Sequence, residues 1–444
     1  MFKAFANAFK IEDLRKKIII TLALLCVLRI GSYIPVPGID HVELGKFIRQ
    51  LQMGFAGQAV FGMMDLFTGG AMSQLTVFAL GIMPYISASI IFQLLTAVVP
   101  SLEKLAKEGE SGRRKLNTYI RYAAIGIGIF QAMLISVGIE NPRNTGGFSL
   151  VLNPGLPFRF VAILSMATGT TFIMWLGEQI QEYGIGNGMS LIIAAGIVSR
   201  IPAAIGLMVE VVRLGQVQAY TIIPLLVLLV AVTMAIVLIT QAARKIPVQY
   251  AKRVVGRKVY GGASTYIPLR VNQAGVIPII FAQTIIMFPA VIASFIPNEA
   301  FRKFADWLTR GHILYTSLYA MLIIIFAYFY TAIVFNPIDI AENMKKYGGF
   351  VPGIRPGKPT ADYFDFVMTR ITLPGALFLA LVAIFPDLIT YWFRIPYLPA
   401  SFFGGTGLLI VVGVMLDTSR QIETHLLMRD YEGFMKKGRI KGRR

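Results

Sequence analysis

Apolar residues run along this chain in long unbroken stretches, not in the short alternations of a soluble fold. Ten stretches approach the length of about 20 residues that a helix needs to cross a bilayer at about 1.5 Å of rise per residue. They lie near 18–34, 72–97, 118–138, 157–177, 188–206, 219–240, 274–296, 313–335, 369–390 and 402–418. The fifth, Gly188 to Gly206, is short and rich in small residues. The first follows Arg15, Lys16 and Lys17 as a secretory signal would. It runs into Tyr33-Ile34-Pro35-Val36-Pro37-Gly38 without a small-x-small cleavage site, so it reads as a retained span. The pattern predicts an all-α integral membrane protein with ten transmembrane helices.

Composition agrees. Of 444 residues, 56% are hydrophobic and only 15% charged, with a mean hydropathy of +0.66; soluble domains carry about 25% charged residues. The single cysteine, Cys26, excludes an intramolecular disulfide and a cysteine-based metal cluster. Lys and Arg number 42 against 23 Asp and Glu, a net charge of +19. With the N-terminus inside, 29 of these basic residues fall in inner segments and 10 on the outer side, counting Arg159 and Arg200 within their spans, which puts both termini in the cytoplasm.

Ten spans divide into five and five at the outer 207–218 connection. Five is odd, so two similarly folded halves must have opposite orientations, and an inverted repeat places its functional site at the interface of the halves near midplane. The expected organisation is an N-terminal half at 1–206, a hinge connection at 207–218, a C-terminal half at 219–418 with cytoplasmic loops at 241–273 and 336–368, and a basic tail at 419–444.

The spans lack the chemistry of other membrane proteins. Glu178, Asp387 and Asp417 sit near span ends, and His41, His312 and His425 lie in loops or the tail. A secondary transporter for a small solute, the second function class considered, wants a coordinating or ionisable group near midspan. An intramembrane hydrolase, the third, wants a nucleophile or metal constellation, and neither HExxH nor G-x-S-x-G occurs. Gly184-Ile185-Gly186-Asn187-Gly188 follows no strand and reads as a tight turn between helices, not as a dinucleotide loop. No cofactor or metal is called for.

Two stretches leave a choice open. Gln58 to Gly70 is apolar but too short and interrupted to span, so it is either an outer-surface anchor or a re-entrant piece buried in protein. Ile82, Ile86 and Ile90 recur at i, i+4, i+8 and share one helix face. Such a stripe is either ordinary packing or the wall of a narrow, unwettable constriction.

Five longer blocks carry a resemblance: residues 66–95 (LFTGGAMSQLTVFALGIMPYISASIIFQLL), 107–122 (KEGESGRRKLNTYIRY), 175–190 (WLGEQIQEYGIGNGMS), 272–285 (NQAGVIPIIFAQTI) and 350–363 (FVPGIRPGKPTADY). In order and spacing they resemble the SecY family, the large subunit of the bacterial Sec protein-conducting channel. The likeness runs from Arg15 into the tail.

The resemblance implies two clamshell halves around an hourglass pore, in the bacterial cytoplasmic (inner) membrane. It implies a pore ring of Ile82, Ile86, Met189, Ile193, Ile280 and Ile410, where Met189 departs from the bulky aliphatic expected but can still fill a hydrophobic seal. It implies a plug around Phe61–Gly70, made of Phe61, Met64, Asp65, Leu66, Phe67, Gly69 and Gly70. It implies a lateral gate toward membrane lipid, with Ser87, Gln93, Gln131 and Thr284 as polar members. The expected cargo is signal sequences and unfolded preproteins, and the expected accessory subunits are SecE and SecG.

The cytoplasmic loops are longer than topology requires. Around Gly256 and Gly261-Gly262, β-branched and aromatic residues alternate with charge, which suggests a projecting hairpin. Lys252, Arg253, Arg257, Lys258 and Arg355 concentrate there, and basic protrusions suit phosphate-rich or acidic partners. By resemblance those partners are the ribosome, through its RNA and protein, and the motor ATPase SecA, with Arg355 assigned to motor coupling. The chain has no GxxxxGK[ST] loop, so the energy of transport is expected to come from the motor.

Overall fold

Each of the ten apolar stretches carries a helix, and the lengths follow from what each must cross or cover. The computed structural model describes residues 11–53, 65–141, 145, 147–215, 217–250, 253–255, 258–260, 264–295, 313–393 and 395–437. Among them, seven helices are long and apolar enough to cross a membrane, and eight if a bent pair counts as one. The chain divides into two compact units, one of Met1–Gly215, Pro396–Pro399 and Ile410–Arg444, the other of Gln216–Ile395 and Ala400–Leu409.

In the first unit, α1 (Glu12–Gly31) starts with Glu12 and Asp13 in its first turn and ends with Arg29 in its last, complementing the helix dipole. The amphipathic α2 (His41–Met53) follows. The second apolar stretch is not helical where its pattern begins. Residues 69–82 form successive turns, and α3 starts only at Met83 (Met83–Val98), with Pro84 in its first turn. Gly69, Gly70 and Gly81 adopt positive φ, which ends one helical turn and delays the next. The Val36 amide donates to the Leu75 carbonyl and the Val77 amide to that of Ile34, so backbone pairing replaces the helix expected from 72.

At Val98 the chain turns by 101° into the short α4 (Pro100–Lys107). The 31-residue α5 (Glu110–Glu140) buries Ile120, Ala124, Gly128, Ala132 and Ser136, a line at i+4 spacing. These mostly small residues let α5 approach its neighbours: a Cβ on Gly128 would stand 3.7 Å from Pro84 of α3 and 3.8 Å from Thr170 of α6 (Leu156–Tyr183). Asn187 caps α7 (Gly188–Ser199), its side chain accepting from the Ser190 amide. Helix α8 (Ile201–Arg213) continues past a break at Arg200, so the short fifth stretch extends to residue 213.

The second unit opens with α9 (Ile222–Gln241) and then a hairpin. Strands β1 (Ala243–Tyr250) and β4 (Ser264–Arg270) pair antiparallel, Ile246 opposite Ile267. Toward the tip, β2 (Arg253–Val255) pairs with β3 (Lys258–Tyr260). Ile246 and Val248 alternate inward with the period of two of a half-buried strand. Helices α10 (Ile277–Phe295) and α11 (Ile313–Val334) meet through Phe281, whose ring stands edge-on to Phe326 and Tyr330.

After α12 (Pro337–Lys346), β5 (Gly349–Phe350) adds to the other edge of β1, Gln249 opposite Phe350. The two long loops at 241–273 and 336–368 therefore form one small domain. Its core joins Ile246, Val248 and Leu269 to Phe335, Met344, Val351, Phe364 and Met368, the last two on α13 (Lys358–Phe393). Helices α14 (Tyr397–Ala400) and α15 (Gly405–Lys437) complete the described chain.

Candidate functional site

The segment from Asp65 to Met72 is buried throughout. Residues 65–68 make one helical turn, stopped by Gly69 (φ 66°) and Gly70 (φ 95°), and the Gly70 amide donates back to the Asp65 carbonyl at 3.0 Å. The Met72 amide donates to the Thr68 hydroxyl at 3.2 Å. Leu66 and Phe67 are buried. Residues 65–70, the described part of the 58–70 stretch, are thus enclosed by protein. Phe61 and Met64 lie outside the described residues.

Two arginines pin the segment within the first unit. Arg29 of α1 donates to the Gly69 carbonyl at 3.0 Å and to the Ser199 hydroxyl at 2.9 Å, and also reaches the Tyr33 hydroxyl. Arg200, at the break between α7 and α8, forms an ion pair with Asp65. The other Asp65 carboxylate oxygen accepts from the Ser73 amide at 2.8 Å. The packing is close here: a Cβ on Gly196 would stand 2.9 Å from the Phe67 carbonyl oxygen, and one on Gly81, itself at φ 57°, 2.9 Å from the Thr68 side-chain methyl. Only glycine at these positions lets the segment seat.

The ring candidates are uncharged and mostly enclosed. Ile82, Ile193, Ile280 and Ile410 are buried, while Ile86 and Met189 are half-buried. Ile82 caps the start of α3, and the Ile86 amide donates to its carbonyl. Met189 packs beside Ala88, Ile120, Ala124 and Met174, against the bare face of Gly177. Ile280 belongs to the second unit and the other five to the first.

Among the gate candidates, Ser87 is half-buried, and Gln93 donates to Ser89 on its own helix. Gln131 keeps a buried, unpaired Oε1. Thr284 donates to the Ile280 carbonyl one turn back at 2.8 Å, so its hydroxyl is already satisfied. Its neighbour Gln283, which the sequence did not single out, is buried with both amide atoms unpaired.

In the small sheet domain Arg355 is exposed on a turn held from both sides. Ile354 packs on the domain core, and Thr360 donates to the Arg355 carbonyl at 2.8 Å. Arg253 and Lys258 lie in the β2–β3 hairpin, while Lys252 and Arg257 fall outside the described residues. On α4, Lys107 contacts Glu103 at 2.7 Å and holds that carboxyl below its ordinary range, first through the hydrogen bond and then through its charge. Among the described residues, no three His, Cys, Asp or Glu side chains are grouped to hold a metal.

The charged pins escaped the sequence reading because their partners are remote, Asp65 and Arg200 being 135 positions apart. One signal was available. Arg200 is the single charged residue of the 188–206 stretch and Asp65 that of the 58–70 stretch, and a lone base and a lone acid in apolar sequence are candidates to pair.

Comparison with known proteins decides the family. The SecY family profile matches residues 76–419. The chain belongs to the SecY family. It is 48% identical over 434 residues to the protein translocase subunit SecY of Escherichia coli (strain K12), covering 97% of this chain and 96% of that one. Solved SecY-type channels share the fold. One comes from a study of how the SecY plug domain stabilises the closed state and maintains a membrane seal (TM-score 0.62, 19% identity, 96% and 95% of the two chains). Another is Sec61 in a canine ribosome–channel complex from the endoplasmic reticulum (TM-score 0.57, 18% identity, 96% and 95%). This SecY-family chain is thus a multi-pass membrane subunit of a protein-conducting channel, not an enzyme, and a small-solute transporter is not supported.

Proposed function

We propose that this chain passes unfolded secretory proteins across the bacterial cytoplasmic membrane and releases membrane-protein segments sideways into lipid, with Ile82, Ile86, Met189, Ile193, Ile280 and Ile410 lining the constriction. A conduit for any polypeptide cannot rely on a selective binding site. Its seal must be apolar, deformable and non-adhesive, closing to ions by excluding water. The observation that carries this reading is the uncharged, mostly enclosed set of ring side chains in the same chain as a buried 65–72 segment.

On this reading the 61–70 segment is the plug of the outer funnel, and the burial of residues 65–70 against α1 and α7 supports the seated state. The polar set at Ser87, Gln93, Gln131 and Thr284 belongs to the lateral gate, and Gln283 joins it. A signal sequence leaves for lipid because its apolar surface gains about 25 cal/mol per Å² removed from water. Both termini face the cytoplasm, as the distribution of basic residues supports.

The cytoplasmic domain would dock the ribosome and the motor SecA, with SecE and SecG as accessory subunits. The ribosome-bound Sec61 relative and the exposed, braced Arg355 support the docking role. A test of the whole reading is to stall a secretory chain in the channel and place a single cysteine at Ile86 or Ile280. Both should crosslink to the stalled chain, while a cysteine at the lipid-exposed Leu226 of α9 should not. Equal reaction at all three positions would defeat the assignment.

A further inference from the structure

We propose that the Asp65–Arg200 ion pair is a latch that sets how readily the plug leaves its seat, and so how strong a signal sequence must be to open the channel. The inference rests on the plug reading above and adds to it a specific pair of residues and a sign.

Both side chains are nearly enclosed, Asp65 4% and Arg200 13% exposed. Asp65 sits on the helical turn of the plug, and Arg200 sits where the fifth span breaks between α7 and α8. The guanidinium also lies close over Gly70, where a Cβ would stand 3.0 Å from Nη1. Its Nε is buried without a partner, so the arginine is held chiefly by this one carboxylate. The Arg29 bonds end on the Gly69 main-chain carbonyl and on Ser199, so they do not involve the Asp65 or Arg200 side chains.

A charge pair has a property here that an apolar contact lacks. Burying two ions sacrifices their hydration, and mutual attraction offsets that loss only while both are present and paired. When the plug leaves, each charge enters a water-filled funnel and recovers its hydration. The closed state is therefore intolerant of losing one partner, yet opening with both present is nearly balanced. Two hydrophobic side chains in the same place would lose contact on opening and regain nothing, so they would hold the plug more tightly.

This reasoning fixes the signs of the test. Full channel complexes carrying D65N, R200Q, the swap D65R/R200D and the apolar pair D65L/R200M are compared in planar bilayers for ion conductance at rest. The same variants are scored in cells for export of a reporter with a crippled signal sequence, with an intact-signal reporter reporting assembled channel. D65N and R200Q should each raise resting conductance and crippled-signal export about tenfold, through a buried charge left unpaired. The swap should return both readouts toward the parent, and the apolar pair should fall to or below it.

Parental conductance in D65N, or a swap no better than either single variant, overturns the latch. D65N nearly preserves side-chain shape and carries the test alone should R200Q fail to accumulate. A deletion of 61–69 separates the two levels of inference. If the deletion does not leak, the plug reading fails; if it leaks and D65N does not, the latch alone fails.

Discussion

Gly177 on α6 and Gly188 at the start of α7 are packed backbone to backbone: a Cβ on Gly188 would fall 1.8 Å from the Gly177 carbonyl oxygen. No side-chain rearrangement relieves such a contact, because the obstructing atom is main chain. The Gly184–Gly188 turn is also tied to two remote helices. The Ile185 amide donates to Thr21 of α1, and the Gly186 amide to Gln421 of α15. Met189, a ring candidate, follows directly. Gly188→Ala should therefore destabilise the first unit by about 1–3 kcal/mol, the usual cost of overpacking. Thermal unfolding of the purified channel in detergent should show a lowered midpoint and no gain in resting conductance.

Ile280→Asn and Ile410→Asn should wet the constriction. Each replaces a buried aliphatic side chain with an amide that water can solvate. The expected outcome is greater ion leak in bilayers, together with export of reporters whose signal sequences are defective. Leak equal to that of the parent would remove these residues from the ring.

Deleting residues 61–69 should make closure leakier without abolishing export, because the constriction itself is left intact. Single-channel recordings beside a preprotein translocation assay decide this. Complete loss of export would give the segment a structural duty instead.

Arg355→Glu should uncouple the motor while leaving the fold intact. The side chain is exposed, and the turn is braced by Ile354 and Thr360, not by the guanidinium. Motor-driven export in inverted vesicles should fall at least about tenfold by repulsion at a docking contact. Normal accumulation of the protein checks that folding is unaffected, and undiminished export would refute the docking role.

Gln283→Leu should stabilise the resting protein. Two buried amide atoms without partners cost about 1–3 kcal/mol, and an apolar side chain of similar size removes that cost. The melting temperature should rise, and signal-sequence engagement, read by crosslinking into the gate, should slow.

The ten helices were legible because a span is a local property, about 20 apolar residues in a row. The exceptions show where locality ends. Residues 72–82 are as apolar as a span but fold as buried turns, since Gly69, Gly70 and Gly81 take positive φ and Val36 and Val77 complete backbone pairs with residues remote in sequence. Hydropathy measures removal from water and is blind to backbone conformation. The β1–β4 hairpin was visible in its alternation, whereas β5, two residues long, has no period to read. Gln283 and Thr284 are neighbours with opposite fates, because a threonine on a helix can satisfy itself on the preceding turn and a glutamine there finds no partner. Asp65 and Arg200 needed the fold before either could be matched to the other.

The addition of β5 to β1 has a mechanical consequence. The Arg355 turn follows β5 and leads directly into the 36-residue α13, while β1 continues from α9. A partner that grips this turn thus holds a handle fused to two transmembrane helices through a shared sheet and a common apolar core. Torque applied at the turn would be delivered to those helices together, not dissipated in slack connecting chain.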